Sequence, residues 1–131
     1  MPSTSRRQRA TATRKAAHHR LFPNAPNVDK RLLQADTKEA LYSITKPDKA
    51  RRIQQLLHHH LRTHFHTHPK QCTVLDGTAC VGGDTLHFAK HFRKVVAVEK
   101  NPVHHAMLCN NVKAYGYTNV ECVHADVVRY L

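Results

Sequence analysis

Three carboxylates stand where short apolar runs give way: Asp76 after Val74-Leu75, Glu99 after Val96-Ala97-Val98, and Asp126 after Val123-His124-Ala125. A carboxylate so placed accepts hydrogen bonds from hydroxyls or amines and attracts a cationic centre. Just beyond the first of them runs Asp76-Gly77-Thr78-Ala79-Cys80-Val81-Gly82-Gly83-Asp84. Gly77, Gly82 and Gly83 permit a tight reversal and close ligand approach, and the helix start that follows offers free N–H groups. The run lacks the Gly-Lys-Ser/Thr sequence that cradles several phosphates, and Asp76 makes it less suited to them. A cofactor with an ammonium or sulfonium centre fits better. Glu99 lies 23 residues beyond Asp76, where a carboxylate can accept both ribose hydroxyl hydrogens of an adenosine cofactor. Nicotinamide binding is the alternative, although these glycines do not follow the dinucleotide order.

Strands and helices must alternate to hold these groups at one end. After Pro69 the pattern predicts a strand over 72–75, a helix over 84–92, a strand over 95–98, a helix over 102–114 and a strand over 120–123. Pro102 suits the first turn of its helix, and Gly116 suits a left-handed cap at its end. Strand–helix–strand–helix–strand at these lengths requires parallel strands, with ligands gathering beyond their carboxyl ends.

The N-terminal half has a different composition. Residues 1–70 hold 15 Lys/Arg against 4 Asp/Glu, whereas 71–131 hold 6 against 5, so the net charge of +12 belongs mainly to the first half. Such a basic half speeds encounter with nucleic acid without specifying a sequence. Residues 1–27 read as a basic, disordered arm, with Arg6-Arg7-Gln8-Arg9 and Arg14-Lys15 as the basis for expecting nuclear placement and cytoplasm as the alternative. Residues 28–70 read as a helical segment, and 71–131 as the cofactor-binding half of the domain. One helix is expected over 29–42, capped by Asp29. A second begins at Thr45, which can cap it with Asp48 three residues on and Pro47 tolerated in the first turn. Its apolar stripe is Ala50, Ile53, Leu57, Leu61 and Phe65.

His58, His59, His60, His64, His66 and His68 could include a metal-binding pair at His60 and His64, but no second ligand group completes a closed pattern, so no metal is expected. Cys72, Cys80, Cys109 and Cys122 lack zinc spacing, and three of them, in or beside apolar segments, read as reduced, buried thiols in an intracellular setting. No apolar run approaches the roughly 20 residues that span a bilayer, so no membrane partner is expected.

The glycine run through Thr85, Val96-Ala97-Val98-Glu99-Lys100-Asn101-Pro102 and His124-Ala125-Asp126 resemble the first cofactor motifs of class I S-adenosylmethionine-dependent methyltransferases. With Asn110-Asn111-Val112-Lys113-Ala114-Tyr115-Gly116 and Tyr42-Ser43-Ile44-Thr45-Lys46-Pro47, the chain from about 40 to 131 resembles trimethylguanosine synthases, the RNA cap guanine-N2 methyltransferases. The resemblance implies an α/β, truncated Rossmann-like class I methyltransferase fold with parallel strands and an N-terminal helical segment. It implies that Asp76 and Gly82, with Gly77 and Ala79 in the same loop, shape the methionine end of an S-adenosylmethionine site. Glu99 would hold the ribose, Asp126 would approach the adenine amino group and Val127 would give an apolar contact. Thr45 and Pro47 would lie in a segment closing over the cofactor, beside the plain helix-start role of Thr45.

The implied reaction is methyl transfer to guanine N2 of a 7-methylguanosine cap, with capped RNA as partner. One departure puts it in doubt. That family's acceptor site depends on an Asp-Pro-Pro-Trp-like motif, and these 131 residues contain neither a Pro-Pro pair nor a tryptophan. No catalytic residue is therefore assigned. The chain reads as a fragment of a longer enzyme, as a half completed by a protein partner, or alternatively as a noncatalytic RNA-binding or protein-interaction module.

Overall fold

A computed structural model describes residues 20–131. The basic clusters at 6–9 and 14–15, with most of the expected arm, lie outside the described residues. Three parallel strands form one sheet in the order β1-β2-β3: β1 Thr73–Asp76, β2 Lys94–Glu99 and β3 Val120–His124. Thr73 pairs with Lys94 and Asp76 with Ala97; Val95 pairs with Val120 and Glu99 with His124. The register thus brings the ends of β1, β2 and β3 to one side, as the alternation in sequence requires.

Helices α1 Lys38–Ser43 and α2 Pro47–Phe65 precede the sheet, α3 Gly83–His91 and α4 Pro102–Tyr115 connect its strands, and α5 Val127–Tyr130 follows β3. Pro102 begins α4 after Asn101, whose side chain accepts from the Val103 and His104 N–H groups, and Gly116 ends it at φ 73°. Among the described residues no helix is long and apolar enough to cross a membrane.

Two apolar clusters hold these layers. In one, Leu86 of α3 and Met107, Leu108 and Val112 of α4 pack with Ala79 and Val81 of the glycine loop and with Leu33, Ala40 and Ile44 from upstream. In the other, Phe88, Phe92 and Val95 pack with Leu57 and Leu61 of α2. Phe88 and Phe92 meet edge to face, their centroids 5.6 Å apart.

The N-terminal half departs from its sequence reading at four points. Leu21 and Phe22, placed in the disordered arm, are buried in the first cluster, so the packed body begins before residue 28. The helix expected over 29–42 is split into a 3-10 turn, Lys30–Leu32, and α1, because Leu33 and Ala35 leave helical geometry to enter the core. Asp29 does cap the turn, accepting from the Arg31 N–H. Thr45 does not cap α2; Lys46 occupies that position without a side-chain hydrogen bond. Finally, the stripe expected on α2 holds in part: Ala50 is buried and Leu57 and Leu61 pack on the second cluster, but Gln54 is buried as well, whereas Ile53 is 37% and Phe65 64% exposed.

Candidate functional site

The glycine loop leaves β1 at Asp76 and enters α3 at Gly83. Asp76 is buried, and its Oδ2 accepts from the Thr85 hydroxyl at 2.7 Å. This contact ties the end of the strand to the first turn of the helix. Burial pushes the Asp76 carboxyl up to about 6; Asp84 and Glu99 add to the rise, while the bonds from Thr85 and the Thr78 backbone oppose it. A cation entering the site would relieve that cost.

The glycines let separate parts of the chain meet. A Cβ on Gly77 would lie 2.9 Å from Val127 Cγ2, so its absence allows α5 to settle over the loop. Gly82 adopts φ 106°, a left-handed conformation that favours glycine. A Cβ on Gly83 would lie 2.6 Å from the Thr45 carbonyl oxygen, a backbone atom that cannot swing aside. That close approach seats the segment before α2 on the loop, and the Thr45 hydroxyl donates to Asp84 Oδ2 at 2.9 Å. Pro47 follows as the first residue of α2.

Glu99 spans loop and strand end. Its Oε1 accepts from the Cys80 N–H and its Oε2 from the Asn101 N–H, both at 2.9 Å. The Ala79 N–H donates to the Val98 carbonyl at 3.0 Å, holding the same loop against β2. Asp126 caps α5 by accepting from the Val128 N–H, with Lys100 Nζ 3.6 Å from its other oxygen. Asp76, Gly77, Ala79, Gly82, Glu99, Asp126 and Val127 therefore gather at the carboxyl end of the sheet, and the Thr45–Asp84 bond adds the upstream segment.

Two residues at this end were not singled out from sequence. Asp84 Oδ1 is buried without a hydrogen-bond partner among the described residues, an acceptor left over beside the loop. Asn111, fully buried on α4, accepts from the Gln34 N–H at 2.7 Å and donates to the Gln34 carbonyl at 2.9 Å and the Val81 carbonyl at 2.8 Å. It ties the upstream chain to the glycine loop. A signal existed: Asn111 shares the helical stripe of Met107, Leu108 and Val112, where a polar side chain must find partners. No such signal joined Thr45 to Asp84.

His60 and His64 lie close, ring centroids 4.7 Å apart, but no group of three or more His, Cys, Asp or Glu able to hold a metal ion occurs among the described residues. The four cysteines are free and half-buried; burial pushes the thiols of Cys80 and Cys122 up, away from thiolate chemistry.

Residues 71–131 match the model of a family described as RNA cap guanine-N2 methyltransferase. An uncharacterised protein of Acanthamoeba polyphaga mimivirus is 42% identical over 62 residues, covering 47% of this chain and 24% of that protein. The chain thus spans about a quarter of the length of the curated relative it matches. Trm5b from Pyrococcus abyssi superimposes with a TM-score of 0.50 at 20% identity, covering 73% of this chain and 24% of that one. M. jannaschii TYW2, solved in complex with AdoMet, gives a TM-score of 0.43 at 34% identity over 45% of this chain and 28% of that one. The Trm5b likeness shows the fold alone. Residues 71–131 have a Rossmann-like α/β fold of the class I methyltransferase kind, and in sequence they match the model of the RNA cap guanine-N2 methyltransferase family.

Proposed function

We propose that the carboxyl end of this sheet holds S-adenosylmethionine and serves methyl transfer to the exocyclic N2 of guanine in a 7-methylguanosine RNA cap. The observation that carries the reading is Glu99, a carboxylate fixed through both oxygens to the glycine loop and to Asn101. Two backbone donors leave about half of its roughly four lone-pair positions for the paired hydroxyls of a ribose. The set of acceptors agrees: Asp76, Asp84, Glu99 and Asp126 suit a ligand with hydroxyls, an amine and positive charge, and Asp84 Oδ1 lacks a partner of its own among the described residues.

In this reading Asp76 and Gly82 shape the methionine end, with Gly77 and Ala79 forming the loop against it. Glu99 holds the ribose, Asp126 faces the adenine amino group and Val127 supplies the apolar contact. Thr45 and Pro47 close the site from the upstream side, a role supported by the hydrogen bond from Thr45 to Asp84. The bound cofactor would supply a methyl group on a cationic sulfur, transferred as the guanine nitrogen forms its bond to carbon, the carbon–sulfur bond breaks and the amine loses a proton. The protein's contribution is to orient donor and acceptor and to hold compensating charge.

The residues described here are assigned to the methyl donor, and none to the acceptor. The family description and the basic N-terminal half support capped RNA as partner, and the basic clusters Arg6-Arg7-Gln8-Arg9 and Arg14-Lys15 are the basis for nuclear placement. The outer edge of β1, where Leu75 is 39% exposed, suits pairing with a strand that completes the sheet.

The test is to incubate the 131-residue chain with methyl-labelled S-adenosylmethionine and 7-methylguanosine-capped RNA, alone and with a cap-methyltransferase segment containing the Asp-Pro-Pro-Trp motif. Label at guanine N2 in either arm supports the reading. Saturable cofactor binding without label in both arms overturns the enzymatic half and favours a binding module.

A further inference from the structure

We infer that the opposite, amino end of the sheet carries a second ligand site, a concavity that binds phosphate. It measures about 590 Å³ and is lined by Arg62, His66, Thr67, His68 and Gln71. Arg62 belongs to the last turn of α2. His66 closes that helix at φ 50°, and the 3-10 turn Pro69–Gln71 carries the chain from His68 toward β1.

Internal hydrogen bonds leave this concavity rich in donors. The Lys70 N–H donates to His68 Nδ1 at 3.1 Å, which places the proton of the neutral ring on Nε2. The Thr67 hydroxyl donates to Gln71 Oε1 at 3.1 Å, so the amide's acceptor is engaged while its NH₂ group remains. Arg62 adds a guanidinium with five N–H donors and makes no ion pair among the described residues.

The surrounding charge has the same sense. Residues 49–75 contain no Asp or Glu. Burial lowers the pKa of His91, and Lys90 and, less, Lys70 lie close enough to add to the lowering. The Arg93 N–H donates to the Pro69 and Cys72 carbonyls, joining the end of α3 to the same turn. Glu121, on neighbouring β3, is paired with Lys94 at 3.1 Å. Donors from several directions in a positive field favour an anion with several oxygens, and a guanidinium binds phosphate oxygens in pairs.

The occupant is a phosphodiester of RNA. That identification rests on the proposed cap-methyltransferase reading; the phosphate site does not. The four residues of β1, at about 3.3 Å each, put roughly 13 Å between this turn and Asp76, so the site is separate from the cofactor end.

The test is an NMR titration of the full chain with inorganic phosphate and, separately, with an uncapped oligoribonucleotide. Both should give saturable shifts centred on the Arg62 Nε–H and the Gln71 side-chain amide. Arg62→Gln should weaken RNA binding about tenfold and lower its salt slope by about one, while S-adenosylmethionine affinity stays unchanged. Gln71→Glu, which adds a repelling carboxylate without truncation, should abolish the phosphate shifts in a chain whose circular dichroism is unaltered. Absence of shifts with phosphate overturns the site. Shifts with phosphate but none with RNA overturn the RNA occupant. Because the oligonucleotide carries no cap, failure of the cap-methylation reading leaves this result interpretable.

Discussion

The two ends of the sheet have opposite chemistry. At the carboxyl end Asp76, Asp84, Glu99 and Asp126 surround a glycine loop; at the amino end Arg62, His66, His68 and Gln71 surround a donor-rich concavity. Parallel strands make the sorting possible, because every strand end of one kind lies on one side. The acidic end is also the more tightly built. Its carboxylates hold loops and helix starts through named hydrogen bonds, whereas the amino end leaves Arg62 unpaired in the described residues. One end therefore depends on burial and geometry, and the other on charge.

The largest effect should come from breaking the link between the upstream chain and the loop. Asn111→Ala removes four hydrogen bonds, one of them from the Asn110 amide, and strands the Gln34 N–H and the Gln34 and Val81 carbonyls. At about 1–3 kcal/mol for each unsatisfied group, partly offset by water, the loss should reach about 3–4 kcal/mol in urea denaturation. A loss below about 1 kcal/mol would mean that the upstream chain is not fastened there.

Asp76 gives a test with a definite sign. Its carboxyl sits at about 6 when folded, above its ordinary 3.8, so the folded chain binds the proton more tightly than the unfolded one. This group's contribution to stability is fully present below about pH 4 and is lost as pH rises through 6, amounting to up to about 3 kcal/mol. His87 and His91, lowered mainly by burial, act in the opposite sense over an overlapping range. The informative quantity is therefore the difference in stability between wild type and Asp76→Asn, measured from pH 4 to 7. The variant should gain on wild type as pH rises; a constant difference would contradict the buried-carboxylate account.

A pair of glycines separates close packing from backbone conformation. Gly83→Ala forces a Cβ against the Thr45 carbonyl and should cost about 2 kcal/mol. Gly116→Ala meets nothing within 4 Å and pays only for φ 73°, about 1 kcal/mol. Thermal unfolding of the two variants should rank them in that order. The reverse ranking would place the segment before α2 away from the loop.

The second half of the chain was legible because its rules are local. Apolar runs, glycines and Pro102 mark strands, loop and helix within a few residues, and the acids at strand ends come together once the strands are parallel. The first half was less legible because its decisive contacts are distant. Thr45 reads as the cap of the helix it precedes, yet its hydroxyl goes to Asp84, 39 residues away. Leu21 and Phe22 stand in a basic, proline-containing stretch, and only the core contributed by α4 and the glycine loop shows why they are buried. Along α2 the spacing identified an apolar face, and packing against α3 kept Ala50 but took Gln54 in place of Ile53 and Phe65. In the site, Glu99 was readable from its place after a strand; the unpartnered oxygen of Asp84 was not, because partnership depends on the folded neighbours.

The most direct test of the central claim is calorimetric titration of the full chain and of Glu99→Ala with S-adenosylmethionine and with an analogue lacking the ribose hydroxyls. Wild type should bind the cofactor saturably and lose about tenfold to a hundredfold on removal of Glu99 or of the hydroxyls. Making both changes together should cost little more than either alone. Equal affinity of wild type and Glu99→Ala for the intact cofactor, or additive losses from the two changes, would contradict the assignment of Glu99 as the ribose-holding group.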